Sequence, residues 1–252
     1  MDLETTAQSE AATGPLTLAI DIGGTGLKGA VLNASGELST DRVRIPTPEE
    51  STPQNVVEAL VELAGQLGHF HRVSVGFPGV IRRGTVLSAP HLGTDDWRDF
   101  PLAKTLSERL KAPVRILNDA SVQGYGVISG HGVECVITLG TGVGFALYEN
   151  GVLGPHMELG RYPIHKNTLL DDYLGKVAFQ KISRKHWNRR VQRVLGHLDT
   201  LVNYDVLYIG GGNSKQIKLD LPKNVRIVPN EAGVTGGIKL WEPRVDYAFA
   251  DT

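Results

Sequence analysis

Apolar positions along this chain change period several times, and each change marks an element. From Leu16 to Glu37 the sequence reads LTLAIDIGGTGLKGAVLNASGE: an apolar run, a Gly-Thr-Gly turn, an alternating run and a polar glycine turn. The same order recurs from Cys135 to Gly151, CVITLGTGVGFALYENG. Apolar runs on both sides of a glycine-rich turn predict two β-hairpins, the second spanning Glu134 to Tyr148. Between them the period lengthens. Val56, Val57, Leu60, Leu63, Ala64 and Leu67 recur at helical spacing and predict a helix over 53–67. Arg72 to Phe77 predicts a short strand ending at Pro78-Gly79, followed by a loop containing His91 to Trp97. A helix is expected from Pro101 to Leu110, with Pro near its first turn, and a strand from Pro113 to Leu117. Asn118-Asp119 falls where that strand stops and the next helix starts.

The remaining pattern is mostly helical from Leu169 to Val202, with Trp187, Val191, Val194, Leu195 and Leu198 forming an apolar face. Asp205 to Ile209 reads as a strand leading into Gly210-Gly211-Gly212-Asn213 and then a further helix. Val225 to Val228 predicts another strand, and Asn230 to Trp241 a final helix with Asn230 as its N-cap. The proline-bearing stretch 42–52 reads as a connection from strand to helix, and residues 1–15, small and polar, as a mobile tail. Strands alternating with helices in both halves, each half opened by a hairpin, predict an α/β protein. Its two similar lobes, 16–118 and 119–252, would flank a cleft.

Composition narrows the function classes. An apolar fraction of 41% and a charged fraction of 21% describe a soluble globular chain. A net charge of -1 gives no reason to expect nucleic acid or an anionic membrane as a partner. No apolar run approaches the roughly 20 residues that span a bilayer, and no basic-then-apolar signal opens the chain. A cytoplasmic protein is the economical expectation. The one cysteine, Cys135, excludes an intrachain disulfide and a cysteine-cluster metal site, and its apolar neighbours predict a buried thiol. His69, His71, His131, His156 and His165 lack ligand spacing with carboxylates, so no metal is assigned to them.

The chemistry concentrates at the turns. A glycine backbone lets an oligophosphate approach closely, and its N–H groups with a Thr hydroxyl can donate to the oxygens. In the first hairpin Gly23, Gly24 and Thr25 would cradle phosphate, Asp21 can hold a water of Mg²⁺, and Lys28 offers a point charge. The motif is not a P-loop, because no GKT or GKS follows. The second hairpin, Gly140-Thr141-Gly142, carries no acid and would supply phosphate donors only. Gly211 and Gly212 offer bare backbone to a nucleotide, or merely turn a strand into a helix. Two facing hairpins would clamp one phosphate chain, which points to phosphoryl transfer.

Asp119 and Asn118 carry two readings. Asn and Asp are favoured helix caps. Open α/β sheets also bind ligands at the C-terminal ends of their strands. There Asp119 can accept a proton from an attacking hydroxyl, Asn118 can hold a neighbouring one, and Glu158 can be a second acceptor for sugar hydroxyls. The basic run Lys181 to Arg193 reads first as a solvated helix face and second as a track for a polyanionic donor.

Taken in order, AIDIGGTGLKGAV, VGFPGV, LNDA, ITLGTGVGFAL, YIGGGNSK and NEAGVTGG resemble the motifs of the ROK sugar kinases, above all the polyphosphate glucokinases. The resemblance runs from about Leu16 to Trp241 and implies the two-lobed actin-like ATPase (ribonuclease H-like) fold with a central ligand cleft. It implies transfer of a phosphoryl group from polyphosphate, ATP or both to a hexose, at the 6-hydroxyl of glucose, with Mg²⁺. By it Asp119 is the general base, Asn118 and Glu158 are sugar ligands, and Gly79 belongs to the sugar-side turn. Three departures stand out. The family's Glu-x-Gly-His reads Glu158-Leu159-Gly160-Arg161, its Asn-Leu reads His91-Leu92, and the structural zinc cysteines are absent, so zinc is not expected. Arg161, a candidate substrate-binding residue in place of a histidine, would either pair with Glu158 or meet a sugar hydroxyl or anionic substituent, or point outward and leave the pocket one contact short. A non-catalytic sugar sensor on the same fold is the rival of a different class, and an acetate-kinase-like phosphotransferase is a third. The oligomeric state, a homodimer included, stays open.

Overall fold

The repeated hairpin seeds two sheets with the same strand order. A computed structural model describes residues 14–229 and 232–249. Strands β1 (Thr17–Gly23) and β2 (Gly26–Leu32) pair antiparallel from Thr17↔Leu32 to Gly23↔Gly26, which leaves Gly24-Thr25 as the turn. β3 (Val43–Ile45) adds to β2. Helix α1 (Pro53–Gly65) begins where the Thr52 hydroxyl accepts from the Asn55 N–H and Pro53 occupies the first turn. Val56, Val57, Leu60 and Leu63 on its inner face are fully or almost fully buried. Burying each such side chain contributes about 1.5–3 kcal/mol.

β4 (Arg72–Phe77) runs parallel to β1. A small hairpin, β5 (Val80–Arg82) and β6 (Thr85–Ser88), then precedes α2 (Thr94–Trp97) and α3 (Leu102–Leu110). β7 (Val114–Asn118) joins β4 in parallel and completes the order β3-β2-β1-β4-β7. Helix α4 (Asp119–Tyr125) leaves directly from its end.

The second sheet repeats the scheme. β8 (Val133–Leu139) and β9 (Val143–Glu149) form the hairpin, and β10 (Val152–Leu153) lies beyond β9. A short ribbon, β11 (Pro163–His165) with β12 (Thr168–Leu169), precedes α5 (Leu170–Leu174), α6 (Lys176–Lys181) and α7 (Arg184–Val202). β13 (Val206–Gly210) and β14 (Val225–Ile227) add in parallel, giving β10-β9-β8-β13-β14. Helix α8 (Ala232–Thr235) closes the regular elements. In both sheets three antiparallel strands are followed by two parallel ones. Each lobe has its own core: Phe77 and Trp97 lie in the first, and Cys135 and Trp187 in the second. Cys135 is fully buried and its thiol is pushed up to about 12 by burial.

A third cluster, with Val122, Tyr125 and Leu240, packs α4 between the second sheet and the C-terminal segment. That segment returns to the first sheet. The Ser74 hydroxyl donates to Gly237 O at 2.7 Å and accepts from the Trp241 indole at 2.9 Å. Here the expected helix over 230–241 is corrected. Only Ala232–Thr235 is α-helical, and Gly236–Trp241 is 3₁₀. A Cβ on Gly236 would collide with the Val122 carbonyl, so the paired glycines that permit this approach also weaken the helix. The Asn230 cap lies outside the described residues, as does the expected tail up to residue 13.

Three other expectations change. The helix after Asn213 is a single 3₁₀ turn, Ser214–Gln216, so no helix N-terminus faces Gly211-Gly212. The connection 42–52 contains β3, whose three residues are too few to show a period. The loop after Pro78-Gly79 contains a hairpin, turned by Arg83 and Gly84 in left-handed conformation, and a four-residue helix at Thr94–Trp97.

Candidate active site

The two glycine-threonine turns face each other across a cavity of about 280 Å³. An ideal Cβ on Gly24 would lie 3.9 Å from the Thr141 side chain, so the tips nearly touch. The first turn is buttressed by β3 and the segment after it. Arg44 donates to Thr25 O at 3.1 Å, and the Thr47 hydroxyl donates to Gly23 O at 2.6 Å. The second turn is anchored from behind. The Lys176 N–H and the Asn213 amide both donate to Gly140 O, at 2.9 and 3.2 Å.

Of the residues proposed from sequence, Asp21, Gly23, Gly24, Thr25, Lys28, Gly79, Asn118, Asp119, Gly140, Thr141, Gly142, Glu158, Gly211 and Gly212 all line this cavity. Arg161 does not line it. Its side chain is exposed, at the end of the 3₁₀ turn Leu159–Arg161.

Asp21 and Lys28 are cross-strand partners and form an ion pair of 2.8 Å. The lysine therefore neutralises the aspartate as well as facing the cleft. Asn118 is the N-cap of α4: its Oδ1 accepts from the Ala120 and Ser121 N–H groups, and its amide donates to Gly79 O at 3.2 Å. The cap reading thus describes Asn118 and leaves Asp119 as the first helical residue, facing the cleft. Asp119 Oδ1 accepts from Ala120 N at 2.8 Å. Burial pushes its carboxyl up from 3.8 to about 7, and the negative charges of Asp21 and Glu158 add to the rise. Gly79 admits no side chain, because a Cβ would run into the Ser88 carbonyl. Gly211, at φ +82°, would press a Cβ to 2.5 Å from the Leu139 backbone.

The cavity also holds residues that sequence reasoning missed or left without a role. Glu158 pairs with His156 at 3.1 Å, and His91 approaches Asp171 at 3.5 Å. Asp171 Oδ1 accepts from Val143 N at 2.7 Å. Burial raises the Asp171 carboxyl, with the neighbouring Glu158 charge adding to it and the Val143 N–H and His91 opposing it. Asp171 opens a short helix in an Asp-Asp pair that reads as ordinary first-turn acid, so nothing marked it. Arg44 sits on the strand that the pattern did not show. Gln123 also lines the cavity, and its position four residues after Asp119 was a usable signal.

Among the described residues no group of three or more His, Cys, Asp or Glu is arranged to hold a metal, and no helix is long and apolar enough to cross a membrane. Asp21 and Asp119 are close enough for the charge of one to raise the carboxyl of the other. Two hard carboxylate donors beside a phosphate cradle fit Mg²⁺, which takes one or two carboxylates and completes its shell with water and substrate phosphates.

Comparison with known proteins supports the same architecture. A family model described as the ROK family matches residues 17–170. The polyphosphate glucokinase of Mycobacterium leprae (strain TN) is 30% identical over 233 residues, 86% of this chain and 72% of that protein. The N-acetylmannosamine kinase of Escherichia coli (strain SE11) is 38% identical over 142 residues, 54% of this chain and 48% of that protein. Among solved structures, the inorganic polyphosphate/ATP-glucomannokinase from Arthrobacter sp. strain KM matches with a TM-score of 0.82 at 32% identity, covering 90% of this chain and 98% of that one. The fold is that of the actin-like ATPases, and by its motifs, its sheet order and these matches this chain belongs to the ROK family.

Proposed function

We propose that the protein is a sugar kinase that moves the terminal phosphoryl group of polyphosphate or ATP to a hexose, at the 6-hydroxyl of glucose. The observation that carries this reading is Asp119: a carboxylate raised to about 7, at the C-terminal end of β7, in a cleft closed by two glycine-threonine turns. A base poised near neutrality is suited to take a hydroxyl proton. The similarity to a polyphosphate glucokinase and to a polyphosphate/ATP-glucomannokinase supports the choice of donor and acceptor.

In this mechanism the hexose lies beside Asn118, Asp119 and Glu158, and the donor crosses Gly23 to Thr25 and Gly140 to Gly142. As the sugar oxygen bonds to the terminal phosphorus, its proton passes to Asp119. The bond from that phosphorus to the bridging oxygen breaks, and ADP or a polyphosphate shorter by one unit leaves. The transfer is largely a matter of positioning and charge neutralisation. Asp21, with Asp119 beside it, would hold Mg²⁺ through water, and the ion supplies neutralisation of the donor's negative charge. Lys28 and Arg44 add cationic charge on the same side, and the second turn contributes backbone donors.

An activity grid tests the reading: purified protein, Mg²⁺, ATP or polyphosphates of several lengths, and a panel of hexoses that includes glucose, mannose and N-acetylmannosamine. Glucose phosphorylation with polyphosphate is expected. Activity with ATP and none at any polyphosphate length would reject the donor assignment. Sugar binding without turnover on any donor would establish the sensor reading instead.

A further inference from the structure

One buried polar group in the cleft has no part in the mechanism above. Gln123 lies on α4 four residues beyond Asp119, so the two side chains share a helix face about 6 Å apart along the axis. It is only 5% exposed, yet it lines the cavity. Among the described residues its Nε2 is the one buried side-chain polar atom without a hydrogen-bond partner. The amide rests on Gly210, where a Cβ would collide with it. Gly210 is paired with Thr138 across the parallel sheet, and Gly211 and Gly212, which follow it, line the same cavity.

We propose that the Gln123 side-chain amide is a ligand for the non-bridging oxygens of the donor phosphates. The inference rests on the phosphoryl-transfer reading and adds a residue to it. A buried amide without a partner is destabilising, and a ligand that accepts its N–H recovers that loss. Phosphate oxygens only accept, which matches the missing half of the interaction. The direction along α4 selects donor over sugar: Asn118 and Glu158 lie toward the start of the helix, and Gly210, which leads into Gly211-Gly212, lies beside Gln123. Neutrality matters as well. A lysine there would attract phosphate and also draw down the carboxyl of Asp119 one turn away, whereas an amide does the first without the second.

The test uses Gln123→Met, which keeps the volume and removes the amide. Thermal unfolding is measured without ligand. Affinities for tripolyphosphate and for AMPPNP, each with Mg²⁺ and without sugar, and for glucose alone are measured by calorimetry. The expected result is an unfolding midpoint equal to or above that of the unaltered protein, donor affinity lower by about tenfold or more, and glucose affinity within about twofold. A lower midpoint with donor affinity retained would make the amide a packing element and overturn the proposal. If the methionine variant does not fold, Gln123→Asn decides: it keeps the polarity and shortens the reach, so unchanged donor affinity overturns the proposal and a loss supports it. Failure of the unaltered protein to bind either donor while binding glucose would reject the kinase reading, and the proposal with it. Turnover by the unaltered protein with unchanged donor affinity in the variant would reject the proposal alone.

Discussion

Replacing Asp119 by Asn should move stability and activity in opposite directions. The carboxyl is raised from 3.8 to about 7 by burial first and by Asp21 and Glu158 second. That shift corresponds to a ceiling of about 4 kcal/mol between the folded and unfolded chains. With the side chain only half-buried and screened by solvent, about 2 kcal/mol is the working figure. The sign follows from the raised value. The contribution of Asp119 is fully favourable below its ordinary range and is lost as pH rises through 7, where the folded protein must hold a charge that it resists. Asp119→Asn removes that charge and keeps an oxygen for the Ala120 N–H. The variant should therefore unfold at a higher temperature than the unaltered protein at pH 8, and the difference should close toward pH 4. Turnover should fall by about 10²–10⁴, or about 3–5 kcal/mol of barrier. In the unaltered protein kcat/KM should drop about tenfold between pH 8 and pH 6 as the base protonates. Initial rates from pH 5 to 9 with scanning calorimetry on both proteins check each part. Turnover within tenfold of normal in the variant would make Asp119 a helix-start residue and no base.

Gly211→Ala should destabilise the protein by several kcal/mol, because the position is held at φ +82° and a Cβ would meet the Leu139 backbone at 2.5 Å; denaturant melts measure it, and a loss below about 1 kcal/mol would show that the turn relaxes freely. Arg161→Ala should leave the KM for sugar and donor within about twofold, since the side chain is exposed and outside the cavity lining; a change above tenfold would bring the arginine into the working site. Glu134 is fully buried and accepts from Ser129, Gly130, His131 and Tyr208. Burial opposes its charge, but these hydrogen bonds overcome it and hold the carboxyl below 4.5. Its contribution is present above the ordinary value and lost as pH falls below it. Glu134→Gln should thus cost on the order of 3 kcal/mol at pH 7, with a shallower acid-side loss than in the unaltered protein.

The sequence carried the regular parts of this fold and the polar turns between them, because both leave local signals. The helix face of Val56, Val57, Leu60 and Leu63 is a period that burial enforces, and all four are buried. Gly23, Gly79 and Gly211 mark places where a Cβ would run into neighbouring backbone, and a missing side chain is itself a sequence signal. What stayed hidden depends on contacts between distant residues. β3 exists because β2 offers it an edge, with Gly29 opposite Val43. The segment 236–241 is 3₁₀ because Ser74 and Val122 crowd it. Asp171 enters the cavity because the ribbon β11–β12 and α5 fold it over the second turn, where its Oδ1 meets Val143 N. Arg161 shows the converse. Its place three residues after Glu158 left open whether it would enter the pocket or point outward, and the 3₁₀ turn that starts at Leu159 carries it out to solvent.

The two sheets repeat one order, yet the cleft between them is not symmetric, and under the proposed function the asymmetry would let one site serve a charged chain and a neutral sugar. The first turn is flanked by Asp21, Lys28 and Arg44, which set charge against charge at one wall. The second turn, Gly140 to Gly142, has no ionisable side chain of its own, and its position is fixed by the Lys176 N–H and Asn213. Backbone donors read any phosphate oxygen alike, whereas the charged wall responds to the total charge it faces. A donor bound to one wall alone would satisfy one of these and leave the other unmet. Because the tips of the two turns lie within one side chain's width, a single phosphate chain could engage both of them beside Asp119. Under the proposed function, such an enclosure would exclude water and limit hydrolysis of the donor. The raised carboxyl of the half-buried Asp119 is then the consequence of the same enclosure that would protect the donor.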